Sequence, residues 1–395
     1  MGRKIYTIVL IVSVLLFSTP ILKLSFGNAN QQDTSGVTIA SNKTIFTPDD
    51  TMRISISVKA SRIQVSVVDA YVVVQDPNGD FSILYEKPEW IVEDKPLYEV
   101  ASIPLKNRQV GPYSWYFVLC PPGNDPFDLN GLVAVANIEL FLLPNAESSP
   151  DKKNQKRLHF RSYPTTLIAH AGGEIGGRVG QNSLEALDRN YAKGHRYFEI
   201  DFCWTSDDRL VLIHDWERSF SELFGDAKEK PSLERFKSMK MKHGMTQMSL
   251  ASLFLWLSKH NDAHIITDVK ERNLSALKII ARDSGKFQKH FIPQIYDPSE
   301  FEPVKLLGFE KVILTLYRSS LSDSEVLKFA ANSNLFAVTM PVRRAFSSCL
   351  LRELSQKGIP LYAHTVNEIE ILNYLRGKGI HGIYTDKILP EDLNH

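Results

Sequence analysis

The sequence contains little cysteine and no excess of charge of either sign. Its three cysteines, Cys120, Cys203 and Cys349, lie too far apart for a dense disulfide framework or a CxxC-type zinc site. Forty-six basic residues face 45 acidic ones, which leaves a net charge of +1. A nucleic-acid-binding protein would carry a strongly basic domain, so we predict no nucleic-acid partner. The content of hydrophobic residues, 43%, excludes the disordered and fibrous classes.

Long hydrophobic runs are absent except for one near the N-terminus, over residues 5–22. Arg3 and Lys4 precede this run, and small and polar residues follow it. These are the parts of a secretory signal peptide, and the run is also just long enough to span a bilayer. We therefore predict that residues 1–29 form a cleaved signal peptide or an uncleaved signal anchor. In both cases we expect export to a periplasmic or extracellular location, with membrane association through this segment if it is not cleaved.

Residues 37–144 alternate between apolar and polar side chains, as in the stretches 51–58, 65–74, 113–119 and 133–141, and turn sequences interrupt them at regular intervals. This pattern predicts a small all-β sandwich domain. It contains no clustered histidines or acidic residues, so we interpret it as a spacer or docking module. The polar residues 145–164 are predicted to be a linker.

From residue 165 to residue 395, short apolar strands alternate with stretches of helical spacing. This alternation predicts an α/β domain with a parallel sheet, and eight units favour a closed (β/α)8 TIM barrel. A doubly wound sheet is the alternative, but no Gly-x-Gly-x-x-Gly follows the first strand. The predicted strands are 167–169, 197–202, 263–269, 291–295, 312–316, 335–339, 361–365 and 382–384. The predicted helices include 183–193, 250–259, 274–284, 322–332, 345–357 and 368–378.

Three acidic residues lie in or at the ends of predicted strands, where a barrel builds its active site. Glu199 and Asp201 are two apart, so they share one face of the second strand, and Asp268 ends the third. The neighbours of Glu199 and Asp201 are apolar, and unpaired charges in such a place would be costly. A divalent cation would remove that cost, and oxygen ligands suit Mg²⁺ or Ca²⁺. We therefore predict a metal site.

Two histidines and one lysine accompany these acidic residues. His170 follows the first strand, His214 follows the apolar residues 211–213, and Lys270 lies two residues after Asp268. Imidazoles can transfer protons, and an ammonium group can stabilise negative charge. The sequence does not decide which histidine would be the base. Further residues at strand ends are candidate substrate contacts: Trp216, Gln294, Tyr317 and His364.

The order and spacing of several motifs resemble the glycerophosphodiester phosphodiesterase family, within the superfamily of phosphodiesterases similar to phosphatidylinositol phospholipase C. The resemblance covers about residues 165–390. It is carried by the segments 170–173 (HAGG), 181–187 (QNSLEAL), 198–201 (FEID), 205–215 (TSDDRLVLIHD), 364–367 (HTVN) and 382–386 (GIYTD).

The resemblance implies a barrel with one divalent metal ion and two catalytic histidines. The catalytic pair matches His170 and His214, and the Glu-x-Asp metal pair matches Glu199 and Asp201. The third metal ligand falls on Asp268, with the family's lysine at Lys270.

The chain departs from the family pattern at three positions. Ala171 replaces a phosphate-contacting arginine, Gln181 replaces a glutamate, and Asp268 replaces the usual glutamate ligand. The Asp-x-Lys pair resembles the related sphingomyelinase D branch. We predict an exported, metal-dependent phosphodiesterase that hydrolyses glycerophosphodiesters or related phospholipid-derived diesters by His/His acid–base catalysis. The alternatives are a phospholipase D-like enzyme on lipid head groups and a catalytically degenerate barrel acting as an envelope binding module.

Overall fold

The computed structural model describes residues 36–128, 131–145, 165–225 and 229–394. Its N-terminal part contains eight strands that form two sheets. Along the chain these are β1 (Val37–Ser41), β2 (Ile45–Phe46), β3 (Thr51–Val58), β4 (Val67–Gln75), β5 (Phe81–Ile91), β6 (Lys95–Pro104), β7 (Gly111–Cys120) and β8 (Ala134–Leu142). The three-stranded sheet has the order β1-β3-β6, and the five-stranded sheet has the order β2-β8-β7-β4-β5.

Alternating side chains of both sheets fill one core between them. In β3 every second residue is buried, from Met52 through Ile54 and Ile56 to Val58. The facing sheet contributes alternate residues of β4 and β7 to the same cluster, including Trp115. This arrangement follows from the two-residue period of a strand, which sends one set of side chains inward. The predicted β-sandwich architecture is therefore confirmed, although the pattern did not identify strands β1, β2, β5 and β6.

The C-terminal part is a closed barrel of eight parallel strands. Along the chain these are β9 (Thr166–Ala169), β10 (Tyr197–Trp204), β12 (His264–Asp268), β13 (Phe291–Ile295), β14 (Ile313–Thr315), β15 (Ala337–Pro341), β16 (Leu361–His364) and β17 (Gly382–Thr385). Each strand pairs with the next, and β17 pairs with β9, which closes the barrel. Gly382 permits this closure, because a Cβ atom there would lie 2.6 Å from the carbonyl oxygen of Thr166. The predicted TIM barrel is confirmed.

A short strand, β11 (Leu210–Leu212), pairs antiparallel with the end of β10. Ten helices accompany the barrel strands within the described residues. They are α1 (Leu184–Ala192), α2 (Arg218–Phe224), α3 (Leu233–Ser238), α4 (Leu250–Leu257), α5 (Asn273–Ser284), α6 (Phe301–Leu306), α7 (Asp323–Asn332), α8 (Val342–Ser347), α9 (Leu350–Gln356) and α10 (Ile369–Lys378). Serine side chains cap the N-termini of α1, α4 and α7, which places these helix starts within one residue of the predicted ones.

The prediction of a single helix over residues 345–357 is wrong. Two helices, α8 and α9, occupy this stretch, and extended backbone at Ser348 separates them. A carboxylate oxygen of Asp323 accepts hydrogen bonds from the Ser348 hydroxyl (2.6 Å) and the Cys349 amide (3.2 Å). This contact holds the break against α7. The short helices α2, α3 and α6 were not predicted, because six or seven residues hardly show a helical period.

The sandwich contacts the barrel through α8, which directly follows β15. The Arg343 guanidinium donates to the carbonyl oxygen of Asp76 (2.8 Å) and to the hydroxyl of Ser114 (2.7 Å), and it lies 3.6 Å from the carboxylate of Glu139. Because α8 begins where a barrel strand ends, the five-stranded sheet lies beside the rim of the barrel that carries the strand ends. The domain boundaries 37–144 and 165–395 stay predictions.

The predicted signal peptide or anchor, residues 1–29, and most of the predicted linker lie outside the described residues. Among the residues that the structure does describe, no helix has the length and apolar character needed to cross a membrane.

Candidate active site

Three carboxylates meet on two neighbouring barrel strands. Glu199 and Asp201 lie two residues apart on β10, and Asp268 ends β12. These strands pair in parallel with Asp201 opposite Asp268, so the three side chains share one face. One oxygen atom from each carboxylate lies within 4.8 Å of the other two, and all three residues are buried. The structure thus brings together the three residues that were predicted to be metal ligands.

Lys270 and Asn182 fix the position of the Asp201 carboxylate. The Lys270 ammonium nitrogen is 2.5 Å from one Asp201 oxygen and 3.1 Å from an oxygen of Asp268. The Asn182 side-chain amide donates to the other Asp201 oxygen (2.9 Å), and its carbonyl oxygen accepts from the Asp201 backbone amide (3.1 Å). One ammonium group therefore contacts two of the three carboxylates, and Glu199 forms no ion pair with a lysine or arginine of the described residues.

Two tyrosines hold the Asp268 carboxylate from the opposite side. The Tyr296 hydroxyl donates to one oxygen of Asp268, and the Tyr317 hydroxyl lies 3.1 and 3.2 Å from its two oxygens. Burial and the neighbouring Asp268 charge raise the pKa of both tyrosines well above the ordinary value. Both hydroxyls therefore stay protonated and can act as hydrogen-bond donors.

His170 directly follows β9 and faces the cluster with one ring nitrogen. Its Nδ1 is 2.8 Å from Asp386, and its Nε2 is 3.9 Å from the Glu199 carboxylate. The Asn367 side chain donates to the second oxygen of Asp386 (2.8 Å). Burial by itself would lower the pKa of His170, but the Asp386 carboxylate outweighs burial and raises this pKa to about 10. Without a bound cation, His170 is therefore an imidazolium near neutral pH.

His214 lies just after β11 and has its own carboxylate partner. Its Nδ1 is 2.7 Å from Asp215, whose oxygens also accept hydrogen bonds from the Ser219 amide (2.9 Å) and hydroxyl (2.7 Å). Burial opposes ionisation of Asp215, but these hydrogen bonds prevail and lower its pKa. Ile213, the residue before His214, donates its backbone amide to the carbonyl oxygen of Asp201 (3.2 Å), and His170 lies 3.9 Å from Glu199, so both imidazoles border the same carboxylate cluster.

The carboxylates of the cluster differ in their pKa values. Burial and the Asp201 charge raise the pKa of Glu199 to about 8. Burial would also raise the pKa of Asp201, but the Lys270 ammonium outweighs it and lowers this pKa. Burial would lower the pKa of Lys270, which Asp201 and Asp268 instead raise well above the ordinary value. Without a cation, Glu199 therefore carries a proton near neutral pH while Lys270 stays charged.

The residues predicted as further substrate contacts have different surroundings. Tyr317 touches the cluster, and the His364 ring lies 5.8 Å from the Tyr317 ring. Gln294 is buried inside the barrel, where it accepts from the Tyr384 hydroxyl (3.0 Å). The Trp216 ring packs against phenylalanines of α2 and α3, so its contacts are those of a packing residue.

Three residues with contacts at the site were not predicted from the sequence: Asp386, Asp215 and Tyr296. Asp215 could have been identified, because it directly follows His214 in the sequence. Asp386 directly follows the last barrel strand, which is also a position at the mouth. No local signal marks Tyr296, because its contact with Asp268 depends on how β12 and β13 are placed.

The arrangement combines three functions in one buried recess. The carboxylates can hold a hard cation, the two carboxylate-supported imidazoles can transfer protons, and the ammonium group can meet an anion. Such a set suits the cation-assisted cleavage of an anionic ester.

Comparison with known proteins identifies similar structures and a matching family. A glycerophosphodiester phosphodiesterase from Parabacteroides distasonis is 18% identical, with 57% of this chain and 93% of that chain covered and a TM-score of 0.46. One from Thermotoga maritima is 21% identical, with 58% and 96% covered and a TM-score of 0.46. A phosphodiesterase from Oleispira antarctica, in complex with the product sn-glycerol-3-phosphate, is 17% identical, with 57% and 93% covered and a TM-score of 0.45.

These identities and TM-scores are too low to assign a family, so the assignment rests on the family model. The model of the glycerophosphoryl diester phosphodiesterase family matches residues 170–389, which is more than half of the chain. The matched range contains both histidines, the three clustered carboxylates and Lys270. The chain therefore belongs to the glycerophosphoryl diester phosphodiesterase family, a family of phosphoric diester hydrolases.

Proposed function

We propose that this chain hydrolyses glycerophosphodiesters or related phospholipid-derived phosphodiesters with the aid of one divalent cation. The observation that supports this most is the carboxylate cluster of Glu199, Asp201 and Asp268, with two imidazoles and one ammonium group around it. A barrel that had lost its activity and served only for binding would have no use for a supporting carboxylate on each histidine.

The donor set suits Mg²⁺ or Ca²⁺. All three ligand groups are carboxylates, which hard cations prefer, and among the described residues Lys270 provides the one ammonium or guanidinium group within 4 Å of them. Burial and, after it, the neighbouring Asp201 charge raise the pKa of Glu199, and a bound cation would offset both. Glu199, Asp201 and Asp268 would hold the ion, which when bound neutralises the phosphate oxygens and the charge that develops in the transition state.

The residues of the chain itself supply the proton transfers. His170 and His214 each have Nδ1 fixed by a carboxylate, so each can present Nε2 to the substrate. One imidazole accepts the proton of the attacking hydroxyl, from water or from the substrate, and the other donates a proton to the leaving alcohol. Lys270 stabilises negative charge on the phosphoryl oxygens.

A second candidate is a phospholipase D-like reaction on lipid head groups. Two features favour it, the Asp268–Lys270 pair and the alanine at position 171, where related phosphodiesterases carry a phosphate-contacting arginine. Ala171 is buried and uses its backbone amide as a donor to Glu199 (2.9 Å), so this position provides no cation. The two candidates share the same residues and differ in whether the diester is soluble or lipid-bound.

A turnover assay tests the proposal. The full chain is incubated with glycerophosphodiesters and with lysophospholipids in the presence of Mg²⁺, Ca²⁺ or EDTA. The released alcohol is measured together with the phosphomonoester that attack by water leaves, or the cyclic phosphate that attack by a substrate hydroxyl leaves. We expect turnover that depends on the cation and is lost in His214→Ala. Turnover of lysophospholipids alone would favour the second candidate, and cation-independent turnover or none would contradict both.

We also propose that the protein is exported, and that residues 1–29 direct this export as a signal peptide or an anchor. The basic start and the single apolar run support the proposal. Fractionation of the producing cells tests it, and alkaline extraction of the membrane fraction separates the two forms. Retention in the cytoplasm would contradict it.

A further inference from the structure

Arg318 lies at the mouth of the barrel, close to the carboxylate cluster. It follows β14 by three residues and comes directly after Tyr317, whose hydroxyl touches Asp268. The Arg318 guanidinium donates to the carbonyl oxygen of Lys270 (2.9 Å) and lies 5.8 Å from the centre of the Tyr296 ring. Because the Lys270 ammonium group touches Asp201 and Asp268, one lysine side chain separates the guanidinium from the cluster.

The charge of Arg318 is not compensated by a carboxylate. Lys270, His170 and His214 each have a carboxylate within 4 Å, whereas Arg318 forms no ion pair with any residue in the described part of the chain. Arg318 is also exposed, and its single hydrogen bond to a backbone oxygen leaves further guanidinium donors available. The structure therefore holds a cation at the rim of the site, turned toward solvent and substrate.

The Arg318 guanidinium contacts the backbone of Lys270 and forms no ion pair with the three carboxylates, whereas the Lys270 ammonium group does touch them. The guanidinium is suitably placed for a group further along the same substrate molecule. A guanidinium forms paired hydrogen bonds with carboxylate and phosphate groups and repels ammonium groups.

We propose that Arg318 is a specificity-determining residue that binds a second anionic group, on the alcohol esterified to the phosphate. The chain then prefers phosphodiesters with an anionic head group over those with a cationic one. This inference rests on the proposed function and adds the substrate class to it.

Two substrates that differ by one carboxylate test the inference. Glycerophosphoserine carries this carboxylate and glycerophosphoethanolamine lacks it. The ratio of their kcat/KM values is measured with Mg²⁺ or Ca²⁺ for the full chain and for Arg318→Gln. We expect the substitution to lower the ratio roughly 5- to 20-fold, mostly through KM for glycerophosphoserine, because the contact lies away from the reacting atoms. The same change is expected for the corresponding lysolipid pair, because Arg318 contacts the head group.

Two matched variants serve as controls. Arg318→Lys keeps the charge and should retain part of the preference, and Arg352→Gln removes an exposed arginine of α9 and should leave the ratio unchanged. The two substrates are also titrated calorimetrically into His214→Ala and into the double variant His214→Ala, Arg318→Gln. Because neither variant is expected to turn over the substrate, this titration gives the preference for glycerophosphoserine as a ratio of dissociation constants.

The outcomes separate this inference from the proposed function. An unchanged ratio in Arg318→Gln, or an equal loss for both substrates, would overturn the inference and leave the phosphodiesterase proposal standing. Absence of turnover of every diester by the unmodified chain would overturn both.

Discussion

Binding of the cation should release a proton from Glu199, and the size of this effect follows from the structure. Burial and the Asp201 charge raise the pKa of Glu199 to about 8, so near pH 7 this carboxyl is mostly protonated. A divalent cation binds the ionised form, so the proton must leave. Lys270 does not ionise Glu199 beforehand, because its ammonium group contacts Asp201 and Asp268 rather than Glu199.

The expected pH dependence has a definite sign. Below a pKa of about 8 the proton competes with the cation, so the affinity for Mg²⁺ or Ca²⁺ falls as the pH falls. Relative to pH 9, the apparent dissociation constant should be roughly tenfold higher at pH 7 and roughly a hundredfold higher at pH 6. Each pH unit below the pKa thus costs about 1.4 kcal/mol of binding free energy.

Isothermal titration calorimetry in buffers of different ionisation enthalpy measures both quantities. We expect about one proton released per ion at pH 6.5 and close to none at pH 9. In Glu199→Gln the cation should bind more weakly at pH 9, and the proton release and the slope between pH 6 and pH 8 should disappear. Glu370→Gln, an exposed position on α10, is the matched control and should behave as the unmodified chain.

Two results would refute this reasoning. Binding without proton release at pH 6.5 would show that Glu199 is already ionised, so that burial and the Asp201 charge do not raise its pKa as described. A pH dependence retained in Glu199→Gln would assign the proton to another group, of which His170 is the nearest candidate.

Three further outcomes are expected. His170→Ala and His214→Ala should each lower kcat by about 10²–10⁴-fold, because each removes a proton-transfer group. The circular dichroism spectrum and the thermal unfolding of both variants should stay close to those of the unmodified chain. Near-normal turnover in both variants would contradict the roles given to the two histidines. Lys270→Met should lower kcat by about 10²–10³-fold, because it removes a cation that faces the phosphoryl oxygens, and an unaffected rate would exclude that contact. Arg343→Met should lower the free energy of unfolding by about 3 kcal/mol in urea titrations at pH 8, because it leaves the nearly buried Glu139 carboxylate without its partner. Burial already raises the pKa of Glu139, so the loss should become smaller as the pH falls and this carboxyl takes up a proton, and a loss that does not depend on pH would contradict the explanation.

Much of the fold could be predicted because its signals are local. Alternation over a few residues identified β3, β4 and β7, and the apolar strands of the barrel were found with boundary errors of at most two residues. The strands β5 and β6 were missed because most of their residues are exposed or only partly buried and show little alternation. The broken helix α8–α9 was missed because its break depends on Asp323, a residue of another helix.

The candidate site also has a part that local sequence predicts and a part that depends on the tertiary structure. The sequence by itself determined that Glu199 and Asp201 share a face, because side chains two apart on a strand point the same way. Only the tertiary structure decided that Asp268 lies opposite Asp201 and that Asp386 supports His170 across a separation of 216 residues. It also decided that Arg318 lies against the Lys270 carbonyl oxygen. The physical reason is that the direction of a side chain follows from the local backbone period, whereas contacts between distant residues arise when burial of the whole core closes the barrel and brings its first and last strands together.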